Sequence, residues 1–152
     1  MNKSFVYVSY IRTTPAKLWD ALTQPEFTRQ YWMGFSHDTT WEPGAAWTLR
    51  SPDGSVADTG QVVEYDRPRR LILSWRNERV PELREEGYSR CTFELEPFGE
   101  LVRLTITHEM DEPETKFLQA VSMGWPGIVS GLKTLLETGQ ALDVAKAFGS
   151  TS

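Results

Sequence analysis

The sequence predicts an α+β fold in which one antiparallel sheet carries its helices on a single face. Three observations lead there. Residues 88–96 and 101–110 alternate: Cys91, Phe93 and Leu95 oppose Arg90, Thr92, Glu94 and Glu96, while Val102, Leu104, Ile106, His108 and Met110 oppose Arg103, Thr105, Thr107 and Glu109. A period of two puts one face on a core and the other in water, as in an antiparallel sheet covered on one side. Between residues 37 and 109, the Pro- and Gly-bearing segments 42–45, 51–55, 66–70 and 97–100 stand where hairpins need turns. Beyond residue 124, Trp125, Ile128, Val129, Leu132, Leu135, Leu136, Gly139 and Leu142 recur at helical spacing.

The elements follow in order. FVYVSYIR (5–12) is aromatic and β-branched and reads as a strand. Thr14 as a cap, Pro15 at the first helical position and apolar Leu18, Ala21 and Leu22 predict a short helix. Pro25 opens a second one, carrying Phe27, Tyr31 and Trp32. Strands are expected at 37–41, 46–50, 56–65, 71–76, 88–96 and 101–110. Residues 77–87 are charged and aperiodic, which predicts a mobile loop, with PELREE as a candidate lid. Residues 111–123 open the helical end, with Pro113 in the first turn and Phe117, Leu118 and Val121 as a stripe. Proline lacks an N–H and clashes with the preceding turn, so Pro126 is expected to start a new helix, jointed at Gly124 and Trp125. That helix, 126–142, spans roughly 25 Å, enough to cross a curved sheet. Residues 1–152 read as one domain, with a core over 5–142 and a flexible tail over 143–152.

Composition excludes several classes. With 152 residues and a net charge of −5, the chain is one mildly acidic domain. It has no Lys/Arg cluster, so no nucleic-acid partner is expected. No apolar run reaches the ~20 residues of a membrane span, and the N-terminus lacks a signal-peptide pattern. Cys91 is alone, which rules out an internal disulfide and points to a reducing cytoplasm. On an inward strand face it reads as an inert core thiol. His37 and His108 have no Cys or His at ligand spacing, so no metal and no cofactor is expected. Neither a phosphate-cradling glycine motif nor a nucleophile elbow is present. Six tryptophans predict a sizeable core or an aromatic-lined pocket.

The segments TTPAKLWDALTQPEFTRQYW (13–32), GQVVEYDRPRRLILSW (60–75), YSRCTFELEPFGELVRLTITHE (88–109) and GWPGIVSGLKTLLETG (124–139) together resemble the START / SRPBCC / Bet v 1-like superfamily. Within it they are most similar to the activator-of-heat-shock-ATPase-homologue (AHSA-type) family. The Pro126–Gly127 pair departs from the polar helical residues usual there. The resemblance implies a helix-grip fold, a curved antiparallel sheet of six or seven strands wrapped around a long C-terminal helix, with two short helices after the first strand. It also implies a cavity between sheet and helix, faced by Trp125, Ile128, Val129 and Leu132 opposite Trp47, Trp75, Phe93 and Ile106. A plainly packed core is the alternative. Gly127 and Gly131 either make room for a ligand or simply weaken the helix.

The activity expected is binding of a small, largely hydrophobic molecule, aromatic or lipid-like, by apolar burial with one or two orienting polar groups. The alternatives are a cyclase- or hydrolase-like enzyme in the same cavity and a chaperone-regulating module. The chaperone reading follows from the family name alone. Enzymatic candidates are His108, which continues the inward stripe of its strand, and Glu64, whose strand facing is ambiguous. An inward Glu64 would have a raised carboxyl pKa and could serve as a base. A structural histidine and a solvent-facing glutamate are the plainer readings. Tyr7, Tyr10, Tyr31, Tyr65 and Tyr88 are individually weak candidates for pocket hydroxyls.

Overall fold

A computed structural model describes residues 3–111 and 115–142. The chain runs β1 (Lys3–Ile11), α1 (Pro15–Thr23), α2 (Pro25–Tyr31), β2 (Ser36–Asp38), β3 (Ala46–Arg50), β4 (Val56–Asp66), β5 (Arg70–Asn77), α3 (Pro81–Glu85), β6 (Ser89–Phe98), β7 (Leu101–Met110) and α4 (Lys116–Thr138). All pairings are antiparallel, and the seven strands lie in the order β1-β7-β6-β5-β4-β3-β2. Strands β2 to β7 therefore form one meander, and β1 closes it beside β7. The curved sheet holds α4 on its inner face, the helix-grip arrangement. Among the described residues, no helix is long and apolar enough to cross a membrane.

The alternation read from the sequence is the register of the core. Cys91, Phe93 and Leu95 on β6 and Val102, Leu104, Ile106, His108 and Met110 on β7 are all buried. They meet Leu71, Leu73 and Trp75 of β5 and the apolar face of α4. Thr14 caps α1 by accepting the Lys17 N–H, and Pro15 takes the first turn, where a missing N–H costs nothing. Where β4 crosses β5, a Cβ on Gly60 would sit 1.8 Å from the Ser74 carbonyl oxygen. Only glycine fits there, and it lets the Gln61 N–H reach Ser74 Oγ at 2.8 Å.

Three expectations are corrected. Pro126 lies inside α4, which runs unbroken from Lys116 to Thr138. A proline inside a helix costs about 3 kcal/mol, but a break would turn one half of the apolar stripe off the sheet. Phe117, Leu118 and Trp125 before the joint and Val129, Leu132 and Leu135 after it stay buried on one face only if the helix continues. The helix also ends earlier than 142. Gly139 takes a left-handed C-cap conformation (φ 86°), its N–H bonded to the Leu135 carbonyl, and Leu142 is exposed. Finally, residues 77–87 are not all loop: Pro81–Glu85 form α3. Pro113 and the tail 143–152 lie outside the described residues.

Candidate functional site

Three indole rings meet where α4 crosses the sheet. Trp32 at the end of α2 stacks on Trp75 of β5 with centroids 6.2 Å apart. Trp125 of α4 meets Trp32 edge-on at 5.4 Å and Trp75 at 5.9 Å. An indole N–H is a donor that needs an acceptor once buried. Trp125 donates to His108 Nδ1 (3.3 Å) and Trp75 to Asp58 Oδ2 (2.7 Å). Behind them Trp47 donates to His37 Nδ1 (2.9 Å).

These bonds fix the state of both histidines. With Nδ1 accepting from an indole, the His108 proton is on Nε2 and is donated to Ser89 Oγ at 2.8 Å; Ser89 in turn donates to the Trp75 carbonyl. His37 likewise donates from Nε2 to the Leu22 carbonyl at 2.9 Å. Burial lowers the His108 pKa to about 3. It lowers that of His37 to about 4, against the opposing pull of the Leu22 carbonyl. Both rings are neutral at physiological pH.

On the solvent side of the Trp32–Trp75–Trp125 group lies an open pocket of about 310 Å³. Phe117, Ala120, Val121, Gly124 and Ile128 of α4 form one wall, and Met33, Phe35, Leu49 and Leu83 complete the apolar lining. Its polar members are Asp58, Asn77 and Arg79. Asp58 is only 8 % exposed. Burial raises its pKa to about 6, against the opposing hydrogen bond from Trp75 and the positive charge of Arg79. The Arg79 guanidinium lies 5.3 Å from the Phe35 ring centroid.

The α3 segment is pinned over this pocket. Leu83 supplies its apolar contact. Burial raises the Glu78 carboxyl, but bonds from Arg76, Thr59 and Arg84 outweigh that and hold it at about 2. Glu86 accepts the first two N–H groups of α4, from Lys116 and Phe117, both at 2.9 Å. A carboxylate there satisfies orphan donors and opposes the helix dipole. Replacing Glu86 with alanine is therefore expected to cost about 1 kcal/mol. It should also speed amide hydrogen exchange across 80–88 and in the first turn of α4. Unchanged exchange in both segments would show that the clasp is not what holds α3 down.

The residues singled out from the sequence fall in different places. Trp75, Trp125 and Ile128 line the pocket. Trp47, Phe93, Ile106, Val129 and Leu132 are buried in the packed layer around it, and His108 is buried behind Trp75 and Trp125. Glu64 lies on the outer part of β4, paired with Arg70, whose Nη2 reaches Oε1 at 3.0 Å. That hydrogen bond lowers its carboxyl pKa, so the raised value expected of an inward Glu64 does not arise. Trp32, Phe35, Asp58, Arg79 and Leu83 went unrecognised as lining residues. The one signal was Asp58 itself, an aspartate inside a strand, where this residue is depleted. Among the described residues, no group of three or more His, Cys, Asp or Glu side chains is placed to hold a metal ion.

A curved seven-stranded sheet gripping a C-terminal helix, with an aromatic-lined pocket beside that helix, defines a protein of the START / SRPBCC / Bet v 1-like class. Within that class the chain belongs to the activator of Hsp90 ATPase homolog 1-like protein family, whose model matches residues 12–137. Among solved structures it is similar to protein MLL2253 from Mesorhizobium loti, with 25% identity over 89% of this chain and 97% of that one, at a TM-score of 0.75. The Aha1 dimer from Colwellia psychrerythraea shares the fold at a TM-score of 0.71, with 17% identity over 91% of this chain and 99% of that one. The HSP90 activator PFC0360w from Plasmodium falciparum shares it at 0.65, with 18% identity over 97% of this chain and 96% of that one. Among curated proteins no sequence match is found.

Proposed function

We propose that this chain binds a small, largely hydrophobic molecule in the pocket between the sheet and α4. The observation that supports the reading is the pocket's make-up. About 310 Å³ is bounded by indole, phenyl and aliphatic groups, with polar groups at few points. Pockets of that size and lining bind small molecules by burying them, while the few polar groups set orientation. Affinity would come from Trp32, Trp75, Trp125, Leu83 and Ile128. A reducing cytoplasmic location belongs to the same proposal and rests on the single, buried Cys91.

Gly124 provides the test. It lines the pocket, and a Cβ added there meets nothing within 4 Å. Gly124→Leu should therefore fill the pocket without disturbing the fold, and it should gain up to about 1 kcal/mol from helix propensity. A thermal-shift screen with sterols, fatty acids, flavonoids and polyketide-like aromatics is expected to find a ligand for the wild-type chain. At a hundredfold excess over Kd the stabilisation is about 2.7 kcal/mol. Gly124→Leu should lose it. A ligand that stabilises both proteins equally binds elsewhere.

A second reading, regulation of a chaperone ATPase, is supported by the family description and by two structural neighbours, one named Aha1 and the other an HSP90 activator. Its test is stimulation of a purified Hsp90 ATPase by this chain. No stimulation by stoichiometric protein would set that reading aside.

A further inference from the structure

We infer that the pocket selects an apolar, aromatic-sized molecule bearing a protonated amine, with Asp58 accepting the N–H. The inference rests on the pocket reading above and names its ligand class. Asp58 is more than nine-tenths buried and lines the pocket. Buried carboxylates are normally paired or fully hydrogen-bonded, because leaving one bare costs several kcal/mol. Asp58 has a single donor, the Trp75 indole on Oδ2. Among the described residues, none donates to Oδ1 and no cation forms an ion pair with Asp58. Oδ1 is not fully sealed from solvent, since Thr28 Oγ1 is the one completely buried side-chain polar atom without a partner among those residues.

The neighbouring charged groups are engaged elsewhere. Arg79 attracts Asp58 from a distance while its guanidinium rests against Phe35. Glu78 is held by Arg76 and Arg84. Folding alone does not account for a charge here, since an asparagine at position 58 would accept the same indole proton without one. What the charge adds is attraction for a cation, and the indole walls add to it through their negative ring faces. A neutral donor could bond Oδ1 but would leave its charge uncompensated, and an anion would be repelled by the carboxylate and the ring faces, with Arg79 the one lining group that attracts it. The structure thus offers one carboxylate acceptor among the apolar groups of the pocket, complementary to an ammonium on a hydrophobic body.

The test is calorimetric titration of the full chain at about pH 8, where the carboxylate is ionised. The probes share one aromatic body: 2-(2-naphthyl)ethylamine, 2-(2-naphthyl)ethanol and 2-naphthylacetate. A charge-assisted hydrogen bond predicts that the amine binds about tenfold tighter than the alcohol, with the acetate weakest. Asp58→Asn should weaken the amine about tenfold and change the alcohol far less. Equal binding of amine and alcohol, tighter binding of the acetate, or an equal loss of both in Asp58→Asn overturns the inference and leaves the pocket reading intact. Failure of all three probes on the wild-type chain overturns this inference, and the pocket reading falls with it only if the thermal-shift panel is silent as well.

Discussion

Trp125→Ala is expected to destabilise the protein by about 4 kcal/mol, the middle of the range for removing an aromatic side chain from a core. The indole is 3 % exposed and packs against Trp32, Trp75, Phe93 and His108, so its loss removes one wall of the pocket and part of the core together. It also strips His108 Nδ1 of its donor, in a ring whose Nε2 is already committed to Ser89. Trp125→Phe separates the two effects. Phenylalanine keeps most of the buried area but has no N–H, and leaving an acceptor unpaired costs about 1–3 kcal/mol. Equilibrium urea unfolding should order the stabilities as wild type, then Trp125→Phe, then Trp125→Ala, with unchanged slopes. If Trp125→Phe matches the wild type, the indole–imidazole bond contributes nothing and His108 is held by packing alone.

How legible these features were depends on the kind of signal each leaves in the chain. The alternation of β6 and β7 showed because every second side chain obeys one solvent boundary, and Thr14–Pro15 showed because capping is local. Pro126 misled because the rule against proline inside a helix is local too. It is overridden by the burial of Phe117 and Trp125 on one side and Leu132 and Leu135 on the other. Glu78 and Glu86 sit in a charged, aperiodic stretch whose sequence looks like solvated loop. Their role emerges only when the chain folds back to place Glu86 at the start of α4, 30 residues away. Beyond its being an aspartate in a strand, the place of Asp58 is hidden for a related reason. Its strand buries both Ala57 and Asp58, so the period of two fails at the residue that lines the pocket. Trp75 and Trp125 meet across the site, yet nothing in their spacing separates the wall of a pocket from the middle of a core.

Asp58→Asn is expected to stabilise the protein by about 3 kcal/mol at about pH 8 and by almost nothing at about pH 4. Asp58 has its ordinary pKa of 3.8 raised to about 6 by burial, so the folded state holds the proton more tightly than the unfolded chain does. A group shifted that way contributes stability below 3.8 and loses it as pH rises through about 6. Asparagine accepts the Trp75 N–H without the charge and therefore escapes the loss. The histidines act in the opposite direction. His108 and His37 are lowered from 6.5 to about 3 and about 4, so the unfolded chain takes up protons first as the pH falls. Their stability is present above 6.5 and drains away below it. In the wild type, Asp58 offsets part of that loss between about pH 6 and 4. The variant has no such offset, so its stability should fall more steeply over the same interval and converge on the wild type. Urea unfolding of both proteins from about pH 8 to 4 would show the convergence. A gap that stays constant with pH means that the carboxyl does not titrate in this window. A wild type more stable than Asp58→Asn at the alkaline end means that Arg79 already compensates the charge, and the carboxylate then has no need of a ligand amine.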